Sequence, residues 1–344
     1  MRTREGDLVE NAQGLVFDVK GLVHPPSRVI AFVRYFFDER GERRKNGTTY
    51  DKVYSLSKRF ALLKERFPQY LAYDPVFDET LCEVPISEIK KHYDPVAKLQ
   101  ELRDSGGLDE LERKALQLAE LLKQAANVPW ASVGISGSIL VGLHVPKSDI
   151  DPIVYGSENC RKAYSALDEF LKDANSPFGS YNRDELKALF DFCSKDTTMS
   201  LEDFVRTDSR KVIQGKFMGT DYFVRFVKDW NEVDEKYGDV QYKNVGYAKV
   251  RATIADDSES IFTPCTYRVE NAAILEGSGI QSIQEIASFR GRFCEHARTG
   301  EKVIAQGKVE HVTDRRRDRE YFRLLIGNKP SDYMVIERKT RKQC

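Results

Sequence analysis

The sequence predicts an α+β protein with several domains, and three observations support this fold class. The length of 344 residues exceeds that of one typical domain. Strand-like and helix-like segments mix through the first two thirds of the chain, whereas short strand-like segments dominate the rest. A hydrophobic content of 41% beside a charged content of 31% is typical of globular domains with a buried core. We predict an N-terminal α+β domain (1–103), a central α/β domain with a mixed sheet (104–235) and a β-rich, barrel-like domain (236–344).

The N-terminal region begins with two strand-like runs, GLVFDVKGLV (14–23) and RVIAFVRYFF (28–37). The segment HPPS (24–27) separates them, because two prolines cannot continue a central strand. A charged, glycine-containing stretch (38–52) is predicted to be a surface loop, and the apolar spacing that follows it predicts a helix over 53–67.

Three residues of this region allow more than one interpretation. His24 could orient a loop over a ligand, although a rigid turn is the simpler explanation. Arg34 and Tyr35 could contact a phosphate or a base, and alternation along a half-buried strand explains them equally well.

The central region begins after a polar break, and Asp109 is positioned to cap a helix over 110–126. A strand then leads to Gly137-Ser138, a short helical segment, a turn and the strand DIDPIVYG. The patterns that follow predict helices over 158–174 and 183–195 and one strand over 219–230.

The C-terminal region consists of short β-type runs separated by Gly, Pro or charged turns, which favours a small barrel or sandwich. One segment, IQSIQEIASF (280–289), is predicted to be a helix or turn. The run RRRDR (315–319) resembles a hairpin tip, which could contact RNA or form a solvated turn. From Arg315 onward there are ten Lys/Arg against four Asp/Glu. This basic end could contact phosphates, or it could be a solvated tail.

Composition makes several classes of protein improbable. The net charge is zero, whereas a general nucleic-acid binder usually carries a basic excess. No stretch of eighteen apolar residues is present, and the first residues lack an apolar signal segment, so we expect a cytoplasmic protein without a membrane partner. Six scattered cysteines without a CxxC pair predict reduced thiols and no disulfide-linked partner. The dispersed histidines predict no zinc site.

The pair Asp149 and Asp151 carries the strongest chemical signal. On a strand, residues two apart project from the same face. Two adjacent carboxylates repel each other unless a cation or a proton lies between them. Mg²⁺ prefers oxygen ligands and usually keeps water and substrate phosphates as further ligands. The pair is therefore suited to bind Mg²⁺, the alternative being an exposed strand edge without metal.

Gly137 and Ser138 precede this pair by about ten residues. A glycine lets the backbone approach a phosphate closely, and the Ser138 hydroxyl adds a donor where a helix would begin. An Asp-x-Asp sequence alone is weak, but its combination with Gly-Ser at this distance is considerably more specific.

The segment GSILVGLHVPKSDIDPIV resembles the signature of the DNA polymerase β-type nucleotidyltransferase superfamily. It is particularly similar to the form found in CCA-adding enzymes, minimal antibiotic-modifying nucleotidyltransferases and related small archaeal proteins. The resemblance covers at most the middle third of the chain. Pro152 departs from the signature, which has an apolar strand residue there, and it could end the strand ladder early or mark a sheet edge.

The resemblance implies roles for individual residues. Gly137 and Ser138 would hold the β- and γ-phosphates of a nucleoside triphosphate (NTP). Asp149 and Asp151 would bind two Mg²⁺ or Mn²⁺ ions. The superfamily commonly has a third carboxylate on a later strand, and Asp221 is the candidate for it.

Further residues are candidates for phosphate binding or for the third carboxylate. Arg225, within the later strand, could reach the triphosphate or a template phosphate, and Arg210 and Lys211 are weaker phosphate candidates. Asp229 and Glu232 lie beyond the end of that strand. His144, between the two motifs, is expected to be a packing residue, because the metal mechanism needs no histidine.

The expected activity is Mg²⁺-dependent transfer of a nucleoside monophosphate (NMP) from an NTP to an acceptor hydroxyl, with release of pyrophosphate. RNA, including tRNA, is the favoured acceptor, and a protein hydroxyl or a metabolite is the alternative. A second hypothesis is a non-catalytic nucleotide- or RNA-binding or regulatory protein on a degenerate nucleotidyltransferase scaffold. The sequence determines neither the nucleotide nor the oligomeric state.

Overall fold

The structure is a computed structural model that describes residues 1–194, 198–277, 279 and 282–338. It is a mixed α+β structure with several sheets, which confirms the predicted class. The chain forms two compact units. The first unit contains Met1–Asp74, Thr80–Tyr181 and Val212–Tyr237, and the second contains Pro75–Glu79, Asn182–Lys211 and the residues from Gly238 onward. Most of the N-terminal and central regions predicted from the sequence thus lies in one compact unit, whereas Pro75–Glu79 and Asn182–Lys211 belong to the other.

The N-terminal part of the first unit is dominated by an eight-stranded sheet with the order β4-β5-β3-β2-β1-β8, in which β7 also pairs with β3 and with β6. Its elements are β1 (Leu8–Asn11), β2 (Val16–Val19), β3 (Arg28–Phe37), β4 (Arg43–Lys45), β5 (Thr48–Lys52), α1 (Leu56–Arg66), β6 (Leu71–Asp74), β7 (Glu79–Pro85), β8 (Ile89–Tyr93) and α2 (Pro95–Asp104).

The surface loop predicted over 38–52 is wrong, because β4 and β5 form a hairpin there. Asn46 and Gly47 connect the two strands with φ angles of 48° and 78°. Positive φ at both turn residues is characteristic of a two-residue hairpin turn, for which Asn-Gly is a preferred sequence. The hairpin places Lys52 opposite Tyr35 of β3.

The central part of the first unit contains two small sheets, with the orders β14-β10-β9 and β11-β12-β13. Asp109 caps α3 in a capping box with Glu112, as predicted. The elements are α3 (Glu110–Ala126), β9 (Val133–Ile135), α4 (Gly137–Leu140), β10 (Pro152–Tyr155), α5 (Ser157–Lys172), β11 (Phe178–Gly179), β12 (Gln214–Phe217), β13 (Thr220–Phe223) and β14 (Arg225–Val227).

The single strand predicted over 219–230 is divided at Val224. The segment before it, β13, pairs with β12, whereas β14 pairs with β10 in the other small sheet. The Val224 N–H donates to the carbonyl of Ile213 (2.8 Å), so the chain changes sheets without leaving this backbone group unpaired.

The second unit contains α6 and α7 and a six-stranded sheet. Within that sheet, β15, β16, β17, β19 and β18 pair in succession, and β18 pairs again with β15, so the pairing closes into a ring. The strand β20 pairs with β18. The elements are α6 (Arg183–Cys193), α7 (Leu201–Asp208), β15 (Val240–Asp256), β16 (Cys265–Glu276), β17 (Glu285–Ser288), β18 (Lys302–Asp314), β19 (Arg319–Leu325) and β20 (Tyr333–Ile336).

The helix or turn predicted over 280–289 is wrong where the structure describes it, because β17 occupies residues 285–288. This strand pairs with β16 on one side and β19 on the other and so completes the ring. Tertiary pairing decides its conformation, which local spacing could not show. Ile280, Gln281 and the basic residues after Arg338 lie outside the described residues.

Two further observations concern the described residues. Helices long and apolar enough to cross a membrane are not found among them. Their five cysteines are free, and Cys344 lies outside the described range.

Candidate functional site

The site predicted around Asp149 and Asp151 lies at the start of β10, the middle strand of its sheet. Just before this strand, the Ile150 N–H donates to the Asp221 carbonyl (2.9 Å) and the Phe223 N–H donates to the Ile150 carbonyl (3.0 Å). Ile150 thereby pairs in parallel with Tyr222, in the same register as the pairing of β10 with β14. This register places Asp149 beside Asp221, with both side chains on one face.

Pro152 does not interrupt this arrangement. It is the first residue of β10 and pairs with Ile135 of β9, while the parallel ladder with β14 continues through Ile153–Tyr155. A proline at the first position of a strand removes one donor without ending the ladder. The possibility that Pro152 marks a sheet edge is therefore wrong.

The Gly-Ser turn touches the second aspartate directly. Gly137 has a φ of +65°, and a Cβ built on it would lie 1.8 Å from Asp151 Oδ2. A side chain at this position would therefore collide with the carboxylate. The Ser136 N–H donates to the Asp151 carbonyl (2.8 Å), and the Ser136 hydroxyl donates to the Gly6 carbonyl (2.6 Å). The two motifs recognised in the sequence thus form one local structure.

Ser138 is buried beside this contact. Its hydroxyl has no hydrogen-bond partner among the described residues, although it is shielded from solvent. A buried hydroxyl without a partner is energetically costly. Ser138 is therefore a donor available to a small polar ligand at this turn.

The charge of Asp151 is strongly influenced by its surroundings. Burial and the neighbouring charge of Asp149 raise the pKa of Asp151 to about 7. The positive charges of Lys52, Arg225 and Arg34 act in the opposite direction. Near neutral pH, Asp151 therefore either keeps a proton, which leaves one negative charge on the pair, or ionises when an additional cation lies beside it.

Two of these cations come from the N-terminal sheet. Lys52, at the end of β5, is buried, and burial and the charge of Arg34 lower its pKa to about 8. Arg34 is the extra residue of a β-bulge, since Val16 pairs with Tyr35 and Phe17 pairs with Val33. Such bulges redirect a side chain. A phosphate contact is one of the two explanations that the sequence offers for Arg34, whereas Lys52 was not predicted; the Asn-Gly turn was the available signal for it.

The third cation, Arg225, forms an ion pair with Glu5. The guanidinium lies 3.3 Å from the Glu5 carboxylate, which is fully buried and also accepts from Lys20 (2.9 Å). Burial alone would lower the pKa of Arg225, but the charges of Glu5, Asp18 and Asp151 raise it. Arg225 therefore remains positively charged beside the aspartate pair.

Asp221 lies beside Asp149 but already has partners. Its half-exposed carboxylate accepts from Lys216 Nζ (2.8 Å) and from the Tyr181 hydroxyl. Burial, followed by the charge of Asp221, raises the pKa of Tyr181. In the described part of the chain, the carboxylate oxygens of Asp149, Asp151 and Asp221 do not form a group within 4.8 Å of one another.

A group that does meet this distance consists of Asp109, Glu112 and His144. The two acids are occupied in capping α3, and His144 Nε2 lies 2.6 Å from Asp109 Oδ2. His144 is half-buried and helps to hold the helix cap, so it is not brought to the aspartate pair.

Four other candidates have structural partners of their own. Arg210 and Lys211 belong to the second unit. Arg210 donates to both oxygens of Glu301 (2.6 and 2.7 Å), and buried Lys211 donates to the Arg292 carbonyl (2.6 Å). Asp229 and Glu232 form a capping box on the turn that follows β14. We therefore leave these four residues out of the site.

His24 also has a structural role. Its neutral ring accepts a hydrogen bond from the Ile30 N–H at Nδ1 (3.3 Å) and donates from Nε2 to the Thr3 carbonyl (3.1 Å). The ring thus ties the N-terminal segment to β3, in agreement with the simpler of the two explanations offered by the sequence.

Comparison with known proteins gives a relative that spans nearly the whole chain. The uncharacterized protein MJ1086 of Methanocaldococcus jannaschii is 32% identical over 350 aligned residues, which cover 98% of this chain and 100% of that protein. No protein-family profile and no solved structure matches the chain.

Proposed function

The chain belongs to the family of the uncharacterized protein MJ1086, and we propose that it is a Mg²⁺-dependent nucleotidyltransferase. It would transfer an NMP from an NTP to an acceptor hydroxyl and release pyrophosphate. The observation that carries this proposal is the contact between the Gly137 turn and the Asp151 carboxylate, on which the charge of Asp149 also acts. A phosphate-binding turn and a metal-binding pair can act on one substrate when they are adjacent. The Gly137 turn and Asp151 meet this condition.

The residues present fit a divalent cation. Asp149 and Asp151 supply hard oxygen ligands, which Mg²⁺ prefers. The raised pKa of Asp151 indicates that the pair lacks sufficient positive charge of its own. When bound, Mg²⁺ or Mn²⁺ would neutralise charge on the transferred phosphate and on the leaving pyrophosphate. Asp221 could join this set only after exchanging its salt bridge with Lys216.

The chain's own groups would position the nucleotide. The Ser138 hydroxyl would donate to a phosphate oxygen, and the absence of a side chain on Gly137 would leave room for close approach. Phosphoryl transfer depends mainly on positioning and on stabilisation of charge. Asp149 and Asp151 would orient the acceptor hydroxyl only in the metal-bound state.

RNA, including tRNA, is the acceptor class that we propose. Support comes from the hairpin between β18 and β19, whose tip contains Arg315, Arg316 and Arg317. Asp314 at its base lies 4.0 Å from Arg316 and 3.6 Å from Arg319, so part of this positive charge is already balanced. A protein or metabolite hydroxyl therefore remains the alternative outcome of the test.

The test is transfer of α-³²P label from each of the four ribonucleoside triphosphates, with Mg²⁺ or Mn²⁺, to total RNA, protein and small molecules. Pyrophosphate release is measured in parallel. We expect label on one acceptor class and its loss in the double variant Asp149→Asn, Asp151→Asn. Absence of transfer from every NTP would contradict the proposal.

A second candidate is a non-catalytic nucleotide-binding protein. Two observations favour it: Arg225 lies beside the aspartate pair, and Asp221 is engaged by Lys216. Under this hypothesis the double aspartate variant would keep its nucleotide or RNA affinity, and the wild-type protein would release no pyrophosphate.

A further inference from the structure

Lys52 differs from the half-buried Lys45 of the same hairpin in the partners of its ammonium. The residue is 9% exposed. Among the described residues its Nζ contacts only the rings of Tyr35 and Tyr54, with centroids at 6.0 and 5.0 Å. Lys45 of the same hairpin, in contrast, donates to the Tyr93 hydroxyl (2.8 Å). In a side chain that is this buried, an ammonium without a hydrogen-bond acceptor is costly, so its position favours an anionic ligand.

The surroundings of Lys52 restrict what that partner can be. Arg34 contributes a second positive charge, and the charges of Asp149 and Asp151 also act on Lys52. Two cations held together repel each other unless an anion lies between them. Lys52 lies opposite Tyr35, and Arg34 is the bulged residue beside Tyr35. The charges of both cations act on Asp151, so both lie on the side of the aspartate pair. The anion must therefore fit beside Asp149 and Asp151.

A polyphosphate fits these requirements better than a carboxylate. It offers several charged oxygens, so that one end can meet Lys52 and Arg34 while another shares a divalent cation with the aspartates. The unpartnered Ser138 hydroxyl, at the turn that touches Asp151, supplies a further donor to the same ligand.

We propose that Lys52, assisted by Arg34, binds the β- and γ-phosphates of the nucleotide, so that the N-terminal sheet forms part of the nucleotide site. This inference rests on the proposed function and extends the site beyond the sequence motif. Lysine acts in such a site as a compact point charge.

The test measures equilibrium binding of inorganic tripolyphosphate and of the four ribonucleoside triphosphates in the presence of Mg²⁺. The variants are Lys52→Gln and Lys52→Arg, with Lys45→Gln as a matched control on the same hairpin. Loss of a charge-assisted contact should weaken tripolyphosphate binding about 10- to 100-fold in Lys52→Gln. Lys52→Arg should recover part of that loss, and Lys45→Gln should change affinity less than about twofold.

Equal tripolyphosphate affinity in Lys52→Gln and the wild type would overturn the inference. If Lys52→Gln does not fold, Lys52→Met, which keeps an apolar stem of similar length, replaces it in the same comparison. A second measurement uses tripolyphosphate in EDTA. Without metal, the double variant Asp149→Asn, Asp151→Asn should bind tripolyphosphate more tightly than the wild type, because repulsion is removed. Weaker binding in that variant would contradict the placement of the phosphates beside the aspartates.

The results separate this inference from the proposed function. Lys52-dependent binding of tripolyphosphate without any NMP transfer would support the phosphate site and contradict the transferase. Transfer that continues in Lys52→Gln with an unchanged KM for the NTP would support the transferase and contradict the role of Lys52.

Discussion

The charges around Arg323 in the second unit and around Lys52 in the first unit differ in how they are paired. In the second unit, Arg323 donates to Glu310 (2.7 Å) and lies over the ring of Tyr242 (4.0 Å). Lys308 pairs with Glu310 (2.7 Å) and with Glu79. In the first unit, the ammonium of Lys52 has no acceptor among the described residues, and the Ser138 hydroxyl is unpartnered.

This difference separates a structural network from a candidate binding site. A buried ion pair with good geometry stabilises the arrangement of the chain around it, although its net contribution to folding can be small. Unpaired buried groups lower stability, and they persist where a ligand completes them. The two clusters should therefore respond oppositely when a charge is removed.

The largest change in stability is expected when Glu310 in the second unit loses its partner Arg323. Arg323→Met should lower the free energy of unfolding by about 3–5 kcal/mol, because Glu310 would remain buried with one cation fewer. Urea denaturation of the full chain measures the change. The double variant Arg323→Met, Glu310→Leu is the control, and it should be less destabilised than Arg323→Met alone. A larger loss in the double variant would show that packing, rather than the unpaired charge, dominates.

The next largest effect on stability is expected at His24, a residue of the first unit whose two ring nitrogens are both hydrogen-bonded. Burial lowers the pKa of His24 to about 4, from 6.5 in the unfolded chain. Above pH 6.5 the ring is neutral in both states and this contribution to stability is complete. As the pH falls from 6.5 to 4, the unfolded chain takes up the proton first, so stability decreases by about 3 kcal/mol.

The measurement for His24 is the free energy of unfolding between pH 4 and 7.5, compared with the His24→Gln variant. The difference between the two curves isolates this residue from other groups that titrate in the range. Parallel curves would mean that the pKa of His24 does not change on folding, contrary to the effect of its burial.

Gly137 and Gly142 form a matched pair for the contact at the site. Their φ angles are +65° and +66°, but a Cβ on Gly142 would meet no atom within 4 Å. Gly142→Ala should cost only the left-handed backbone penalty of roughly 1–2 kcal/mol. Gly137→Ala should cost about 1–3 kcal/mol more, because the added methyl group collides with Asp151. Equal costs, measured by thermal unfolding, would show that the carboxylate moves aside freely.

The sequence predicted what local patterns determine. The capped helix α3 followed from leucine spacing and Asp109, and the adjacency of Gly137 and Asp151 followed from a motif only fifteen residues long. The remaining part of the site depends on register and bulges in a distant sheet. The charge of Lys52 acts on Asp151, and the hairpin that carries Lys52 has its register set by an Asn-Gly turn. A solitary lysine gives no sign of burial in the sequence.

The segment 285–288 shows the same limit. Its pattern was compatible with a helix, and only pairing with β16 and β19, which lie on either side of it, makes it a strand. Long-range pairing of this kind leaves little trace in local composition. The sequence therefore predicted a barrel or sandwich of short strands in this region, but it did not predict that β17 is one of these strands.

The smallest expected change in stability is that of Lys52→Met. It distinguishes the cluster around Lys52 from the cluster around Arg323 most directly. Lys52→Met removes a buried charge that has no hydrogen-bond acceptor among the described residues and keeps the aliphatic stem. The free energy of unfolding should stay within about 1 kcal/mol of the wild type or rise, in contrast to the loss in Arg323→Met. Thermal unfolding without ligand, and then with Mg²⁺ and tripolyphosphate, measures both states. The ligand should stabilise the wild type more than Lys52→Met, since the stability that binding adds to the folded state increases with the logarithm of the affinity. A loss of several kcal/mol without ligand would instead place Lys52 among the structural charges, like Arg323.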